Sequence, residues 1–333
     1  MNIKKIGLTA LAGSLVATSA FAGAMSVAGS ASMKVQHVNG GAADTGKAFS
    51  MGNQLTFSGS GELDNGLNVS LSFVLDQGDD TKTTANTATT ASGGNAPFDS
   101  HSLVISSDGL GALTFIGEGG SSAQSAIDGT AAGDLWDSSF GISAAQDPKA
   151  SATSNNMLSY KLPTLMDGVG ITASYTPKST AAQYESSTAF AISYTGVEGL
   201  TLDYGVGENN GTNGTTADVT TVKASYAYGP ITVGYSETEY DSESSAADED
   251  QEVTSFNVSY TVTDDISISY GSEEIAEPND TDDQDIEVAG ITASYTAGGM
   301  TITGKMITAD NVDMTTTSTA DRENWNLVAS FAF

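Results

Sequence analysis

Apolar residues recur at every second position over 7 to 12 residues in sixteen separate segments of this chain, with small or polar residues between them. Such alternation marks a β-strand with one greasy face and one wet face. The predicted strands are Met25 to Val38, Gln54 to Leu63, Leu67 to Leu75, Ser100 to Ser106, Ala112 to Glu118, Asn156 to Leu162, Gly170 to Thr176 and Thr188 to Tyr194. They continue with Leu200 to Gly207, Val219 to Tyr228, Ile231 to Thr238, Val253 to Val262, Ile266 to Gly271, Glu287 to Thr296, Met300 to Ile307 and Arg322 to Phe333. The connections go long, short, long, short throughout. Short joints carry Asp64-Asn65-Gly66, Asp108-Gly109, Asp167-Gly168, Gly196 to Gly199, Gly229-Pro230, Asp264-Asp265 and Gly298-Gly299, residue types that tolerate the backbone of a tight reversal.

This ladder predicts an all-β fold, a 16-stranded antiparallel transmembrane β-barrel with seven tight turns on one rim and eight loops on the other. A barrel with lipid outside and water inside needs that division of faces on every strand. Aromatic placement agrees, because ten of the twelve tyrosines fall on the apolar parity of a strand. Tyr160, Tyr194, Tyr228, Tyr260 and Tyr295 come just before tight turns, where a phenol keeps its ring in lipid and its hydroxyl in water. Tyr175, Tyr204, Tyr235 and Tyr270 lie about four residues up the rising strands, only ~10 Å of height at ~3.3 Å per residue and ~40° tilt.

Composition fits the barrel. Only 39% of the chain is hydrophobic, Gly is abundant at 37 residues and Pro scarce at 6, and after residue 22 no stretch shows helical spacing. Residues 1 to 22 read differently: Lys4 and Lys5, an apolar run from Ile6 to Ala17, then Ala20-Phe21-Ala22. This predicts a secretory signal peptide cut after Ala22, leaving residues 23 to 333 as the barrel domain. The run is shorter than the ~18 apolar residues of a membrane helix. The chain has no cysteine, so disulfides and thiolate metal sites are excluded. It carries 11 Lys and Arg against 41 Asp and Glu, a balance that excludes nucleic-acid binding and repels anions at long range.

The final strand places Trp325, Leu327, Ala329, Phe331 and Phe333 on one face and ends on an aromatic. Together with the stretches Asp108 to Glu118, Asn156 to Pro163 and Gly170 to Tyr175, it resembles the trimeric sixteen-stranded general porins of Gram-negative outer membranes. The resemblance implies an outer-membrane homotrimer, set among outer-membrane lipid and inserted by the outer-membrane assembly machinery. It would pass ions and small hydrophilic solutes, with the third external loop folding inward to narrow the pore. One departure matters: the family's arginine-rich constriction has no counterpart, since Arg322 is the sole arginine.

Parity sorts the charges independently. Lys34, Lys161, Lys223, Lys305 and Arg322 fall on the small-polar face with Glu62, Asp76 and Asp203, so all are expected to line the channel. The strands carrying Lys305, Arg322 and Lys34 become neighbours once the barrel closes. The third long loop carries Asp128, Asp134, Asp137 and Asp147, with Trp136 and Phe140 available to pin it. Folded inward, its carboxylates would face a basic wall across a narrow gap, a transverse field that sets selectivity.

Acid is concentrated elsewhere too, with seven carboxylates from Glu239 to Glu252 and eight from Glu273 to Glu287. The run Asp280, Asp282, Asp283, Asp285, Glu287 has the oxygen ligands Ca²⁺ prefers but lacks the turn glycine of an EF-hand; a plain solvated acidic loop is the alternative. No other cofactor is suggested. His37 and His101, the only histidines, form no defensible triad, so no enzyme is expected. Gly205-Val-Gly-Glu-Asn-Asn-Gly211 is a weak phosphate-loop match with no helix after it, and reads as a strand end and flexible loop. The leading expectation is a passive, cation-preferring channel. The alternatives are a substrate-selective porin for an anion or nutrient and an acidic non-channel surface protein.

Overall fold

The computed structural model describes residues 25–40, 46–76, 99–136, 146–152, 155–178, 185–210, 216–243, 250–278, 284–312, 314 and 321–333. The expected signal peptide lies outside these residues. The strands are β1 (Met25–Asn39), β2 (Gly46–Glu62), β3 (Asn68–Asp76), β4 (Ser100–Ser107), β5 (Gly111–Glu118), β6 (Met157–Lys161), β7 (Val169–Thr176) and β8 (Ser187–Tyr194). They continue with β9 (Leu200–Asn210), β10 (Thr216–Tyr228), β11 (Ile231–Ser242), β12 (Gln251–Thr263), β13 (Ile266–Ala276), β14 (Ile286–Ala297), β15 (Met300–Asp310) and β16 (Arg322–Ala332). Each pairs with its sequence neighbours, and β16 returns to β1, so the sheet is a closed barrel. Among the described residues there is no helix long and apolar enough to cross a membrane.

Closure is antiparallel, running from Ser30 opposite Ala332 to Asn39 opposite Glu323. One step beyond, Gly29 and Phe333 exchange backbone hydrogen bonds of 2.7 and 2.9 Å. The Phe333 ring lies over the bare backbone of Gly29, where a Cβ would oblige the ring to turn aside. The tight turns follow the predicted chemistry, with Gly66 and Gly168 at φ 80° and 76°, a region costly for residues with a Cβ.

Alternation is visible in burial. Along β8, Ser187, Ala189 and Ala191 are buried while Thr188, Phe190 and Ile192 are exposed. The exposed parity continues round the wall through Leu71, Leu103, Phe115, Tyr175, Tyr204, Tyr235, Tyr270 and Leu327. An apolar surface that encircles the molecule is far larger than a water-soluble monomer exposes, and it identifies the lipid-facing side. Tyr240 is the strand tyrosine on the inner parity.

Several strands extend farther toward the loops than alternation of apolar residues predicted. β2 begins at Gly46 rather than Gln54, β11 runs to Ser242 rather than Thr238, and β13 to Ala276 rather than Gly271. In the β2 extension the outward side chains stay apolar, with Phe49 and Met51 exposed. On β9 to β15, by contrast, pairing continues past the apolar level and the outward parity turns acidic, giving direct cross-strand pairs Glu208–Asp218, Asp218–Asp241, Glu239–Glu252, Glu274–Glu287 and Glu287–Asp310. Like charges directly opposite destabilise a ladder by roughly 0.2–1 kcal/mol per pair. Glu287 takes part in two such pairs, so Glu287→Gln should raise the temperature at which the detergent-solubilised barrel unfolds, read as heat-modifiable gel mobility. The gain should shrink in high salt, where the repulsion is screened.

Candidate functional site

The inner face of the barrel is not uniform, because two stretches of the connection between β5 and β6 are fastened to it. At its neck the Gly119 amide donates to Asn155 Oδ1 at 3.1 Å and Asn156 N to the Gly117 carbonyl at 3.2 Å. Residues 122–136 then meet inner-parity side chains on strand after strand. Ala123 N donates to Ser174 Oγ of β7 at 2.8 Å, Gln124 Nε2 to Thr221 Oγ1 of β10 at 2.8 Å, Ala131 N to Ser236 Oγ of β11 at 2.8 Å and Ala132 N to Ser255 Oγ of β12 at 3.0 Å. On β13, Glu273 accepts from the Thr130 hydroxyl and from Trp136 N at 2.9 Å. The inner serines and threonines thus serve as acceptors for loop amides that would otherwise be left unpaired.

The returning stretch is tied down as well. Gln124 is fully buried, and its side-chain oxygen accepts from Ser151 N at 3.0 Å. Lys149 N donates to Gln251 Oε1 at 2.7 Å, Ala152 N to the Glu208 carbonyl at 3.0 Å, and the Lys149 ammonium lies 5.3 Å from the ring centre of Tyr240. Gln124 therefore joins both limbs of the loop to the wall.

Glycines make room for this approach. A Cβ on Gly205 would stand 2.8 Å from Ile127 Cδ1, one on Gly207 2.7 Å from Ser151 Cβ, and one on Gly271 2.6 Å from Ala132 Cβ. Real Cβ contacts are not that short, so the loop can lie this close only over bare backbone. Gly205 and Gly207, expected to be a strand end and flexible loop, are part of the seat for the loop.

The strand charges singled out by parity are all on the inner face. Lys305 is opposite Asn326, and Lys34 of β1 is opposite Val328 on the other side of β16, so these two stand at nearly the same level. Arg322 pairs with Ala309, four residues closer to the loop rim. Lys161 is opposite Ala112 and Glu62 opposite Asn68. Asp203 is opposite Lys223 and accepts from the Ser193 hydroxyl. The Lys223 ammonium donates to the Gly129 carbonyl, so it is a fastening for the loop and stands on the same side of the barrel as the loop's carboxylates. His37 is an outward residue beside the Trp325 ring, and His101 stands next to Glu118, 3.9 Å from Nδ1 to Oε2.

Among the loop carboxylates, Asp134 Oδ1 accepts from Thr130 N at 2.9 Å, fixing the turn. Burial pushes the Asp128 carboxyl up to about 6, a rise opposed by its bond from Ser125, aided by Asp134 and opposed by Lys223. Burial also raises Asp147, one of whose carboxyl oxygens has no hydrogen-bond partner. Asp137, Phe140, Asp280, Asp282 and Asp283 lie outside the described residues. Asp285 lends its carbonyl to Asn311 Nδ2 at 3.1 Å, and Glu287 faces outward. Among the described residues no group of three or more His, Asp or Glu side chains could hold a metal ion. Glu273, counted above within an acidic loop, is instead a buried inner-wall residue. Trp136, expected to pin the loop, does meet the wall, through its backbone N–H on Glu273 and its side chain at the margin of a buried apolar cluster. Thr130 and the docking side chains Gln124, Thr221, Ser236, Gln251 and Ser255 carried no signal in the sequence beyond polar residues at alternate positions.

A profile described as Gram-negative porin matches residues 7–290, most of the chain. The chain belongs to the Gram-negative porin family. No curated protein matches the sequence. Solved structures similar in fold include an outer membrane protein of Vibrio cholerae, the loop L8 deletion mutant of OmpT, with TM-score 0.68 and 16% identity over 94% of this chain and 100% of that one. An anion-selective porin from Comamonas acidovorans gives TM-score 0.64 and 14% identity over 93% of this chain and 99% of that one. A mutant of the Rh. blastica porin gives TM-score 0.64 and 16% identity over 93% and 100%. The porin is an outer-membrane channel protein of Gram-negative type, and its family and fold are those of channels rather than enzymes.

Two measurements bear on this site. Gly271→Val should displace the loop from β13 and enlarge single-channel conductance while heat-modifiable mobility still reports a folded barrel; unchanged conductance would show that the loop is not seated as described. Asp128 supplies a pH dependence. Its folded pKa lies above the ordinary 3.8, so between about 4 and about 6 the folded state binds more protons than the unfolded, and this group's contribution to stability falls as pH rises through that window. The ratio of cation to anion permeability should fall as pH is lowered from 7 to 5, and Asp128→Asn should remove that step.

Proposed function

We propose that the porin is a water-filled channel for passive diffusion of ions and small hydrophilic solutes, narrowed by the loop between β5 and β6 and preferring cations. The observation that carries this reading is the fastening of residues 122–136 to inner-parity side chains of β7, β10, β11, β12 and β13. The hydrogen-bonded part of the loop lies along β7 to β13, whereas Lys34 of β1 and Lys305 of β15 stand on inner-face positions outside that stretch; Arg322, only 6% exposed, is buried beside them.

Asp128 and Asp134 on the loop side support cation preference, as fixed charges in a low-dielectric tube act strongly on permeating ions. Glu62, Lys161, Asp203 and Lys223 are assigned to the lining or to the loop's seat, with Asp137 and Asp147 as further loop carboxylates. A weaker assignment is structural Ca²⁺ at Asp280, Asp282, Asp283, Asp285 and Glu287. Cleavage after Ala22, delivery by the outer-membrane assembly machinery, contact with outer-membrane lipid and assembly as a homotrimer complete the reading, and no chemical step belongs to it.

The second reading is an anion-selective channel, favoured by the position of Lys34 and Lys305 at nearly one level on β1 and β15. Planar-bilayer recording under a KCl gradient decides between them. A reversal potential of the sign for K⁺ permeation is expected, made more cation-selective by Lys34→Glu or Lys305→Glu. The opposite sign would establish the anion channel, and absence of conductance from a folded barrel would remove the channel reading altogether.

A further inference from the structure

Most of the inner face is built of Ser, Thr, Gly and charged residues, as a wet bore requires, but one sector is not. On β12 to β15, near the loop rim, the inward positions are Val253, Ile275, Ile286, Val288, Ile307 and Ala309, each at most 5% exposed. An apolar wall in a water-filled tube would be an unfavourable hydrated surface. Here it is covered from within, because these residues form one buried cluster with Leu135 of the third loop and with Val312 and Met314, which follow β15. Trp136 and Ala132 pack on its margin.

The segment that supplies Val312 and Met314 is held in an unusual shape. Asn311 has φ 57° and Met314 φ 52°, left-handed conformations that asparagine tolerates and methionine rarely adopts. Met314 N donates to the Asn311 carbonyl at 2.8 Å, and Gln284 N to the Met314 carbonyl at 3.1 Å. The Asn311 amide donates to the Asp285 carbonyl at 3.1 Å. These bonds tie the turn to the start of β14 and leave Val312 and Met314 0% and 2% exposed. A strained turn that delivers two apolar side chains into the cluster persists when the packing it makes outweighs the strain.

The far end of the third loop therefore has two holds: the polar one at Glu273, and an apolar one shared with the eighth loop. We propose that Val312 and Met314 are positioning residues for the constriction, so that the eighth loop sets how far the third loop stands out into the bore. This rests on the inward-folded third loop of the proposed function. Solute size selection then depends on a segment that need not touch the solute, and a change in the eighth loop would alter the aperture while leaving the third loop's own sequence intact.

The experiment uses the full-length porin in planar bilayers, with folding checked by heat-modifiable mobility and variants Val312→Ser, Met314→Gly, Leu135→Ala and the double Leu135→Ala/Met314→Gly. Met314→Gly is informative even if Val312→Ser fails to fold, since glycine accepts the left-handed backbone and only the packing is lost. Each single variant should show a larger or more frequently fluctuating single-channel conductance than the parent and faster liposome swelling in larger sugars. The double variant should not exceed the larger single effect, because both residues act through one contact set. Parental conductance in folded Met314→Gly, or effects of Leu135→Ala and Met314→Gly that multiply independently, would overturn the proposal. Failure of the underlying reading looks different: Leu135→Ala and Gly271→Val would then leave conductance unchanged as well.

Discussion

Backbone pairing that runs round a complete ring is the constraint from which the rest of this molecule follows. In hydrocarbon no water is available to an orphaned N–H or C=O, so a sheet can stand there only if it has no edge. Here the ring is completed by β1 against β16, with Gly29 and Phe333 exchanging the last two bonds. Once the ring closes, successive side chains are committed to opposite sides of the wall. A single shift of register would put every tyrosine of a strand in the bore.

A closed wall with a polar inner surface also determines how a loop can be held inside it. The described residues of the loop between β5 and β6 form no strand or helix, so their amides need acceptors, and the inner serines, threonines, Gln124 and Glu273 provide them. Glycine at 205, 207 and 271 lets the loop backbone come close enough to use them. Where these acceptors give way to Val253, Ile275 and Ile286, contact becomes apolar and Leu135 replaces hydroxyl bonding. Hydrogen bonding positions the first part of the loop and burial positions its end.

The barrel could be read in the sequence because period-two alternation has one physical meaning when it recurs on every strand with turn residues between. Strand ends were harder. On β11 the outward series Ile231, Val233, Tyr235 turns to Glu237 and Glu239, which looks like a loop although pairing continues to Tyr240 opposite Gln251. The loop's seat was hidden because a serine on the inner parity looks the same whether it meets water or an amide. Two signs were nonetheless present. Glycines within a strand's inner parity mark a close approach, and β14 carries apolar residues on both parities, Ile286 and Val288 inward and Ile291 outward, as a strand covered on both sides does.

The net charge invites the idea that acidity as a whole governs which ions pass. Yet Glu237, Glu239, Glu252, Glu274, Glu287 and Asp310 are directed sideways, away from the conducting path and toward whatever adjoins the wall. Counterions gathered there form a collar outside the tube, in parallel with conduction rather than in series with it. The excess acid of such a chain is thus a poor guide to permeability, and two homologues of equal isoelectric point can favour ions of opposite sign.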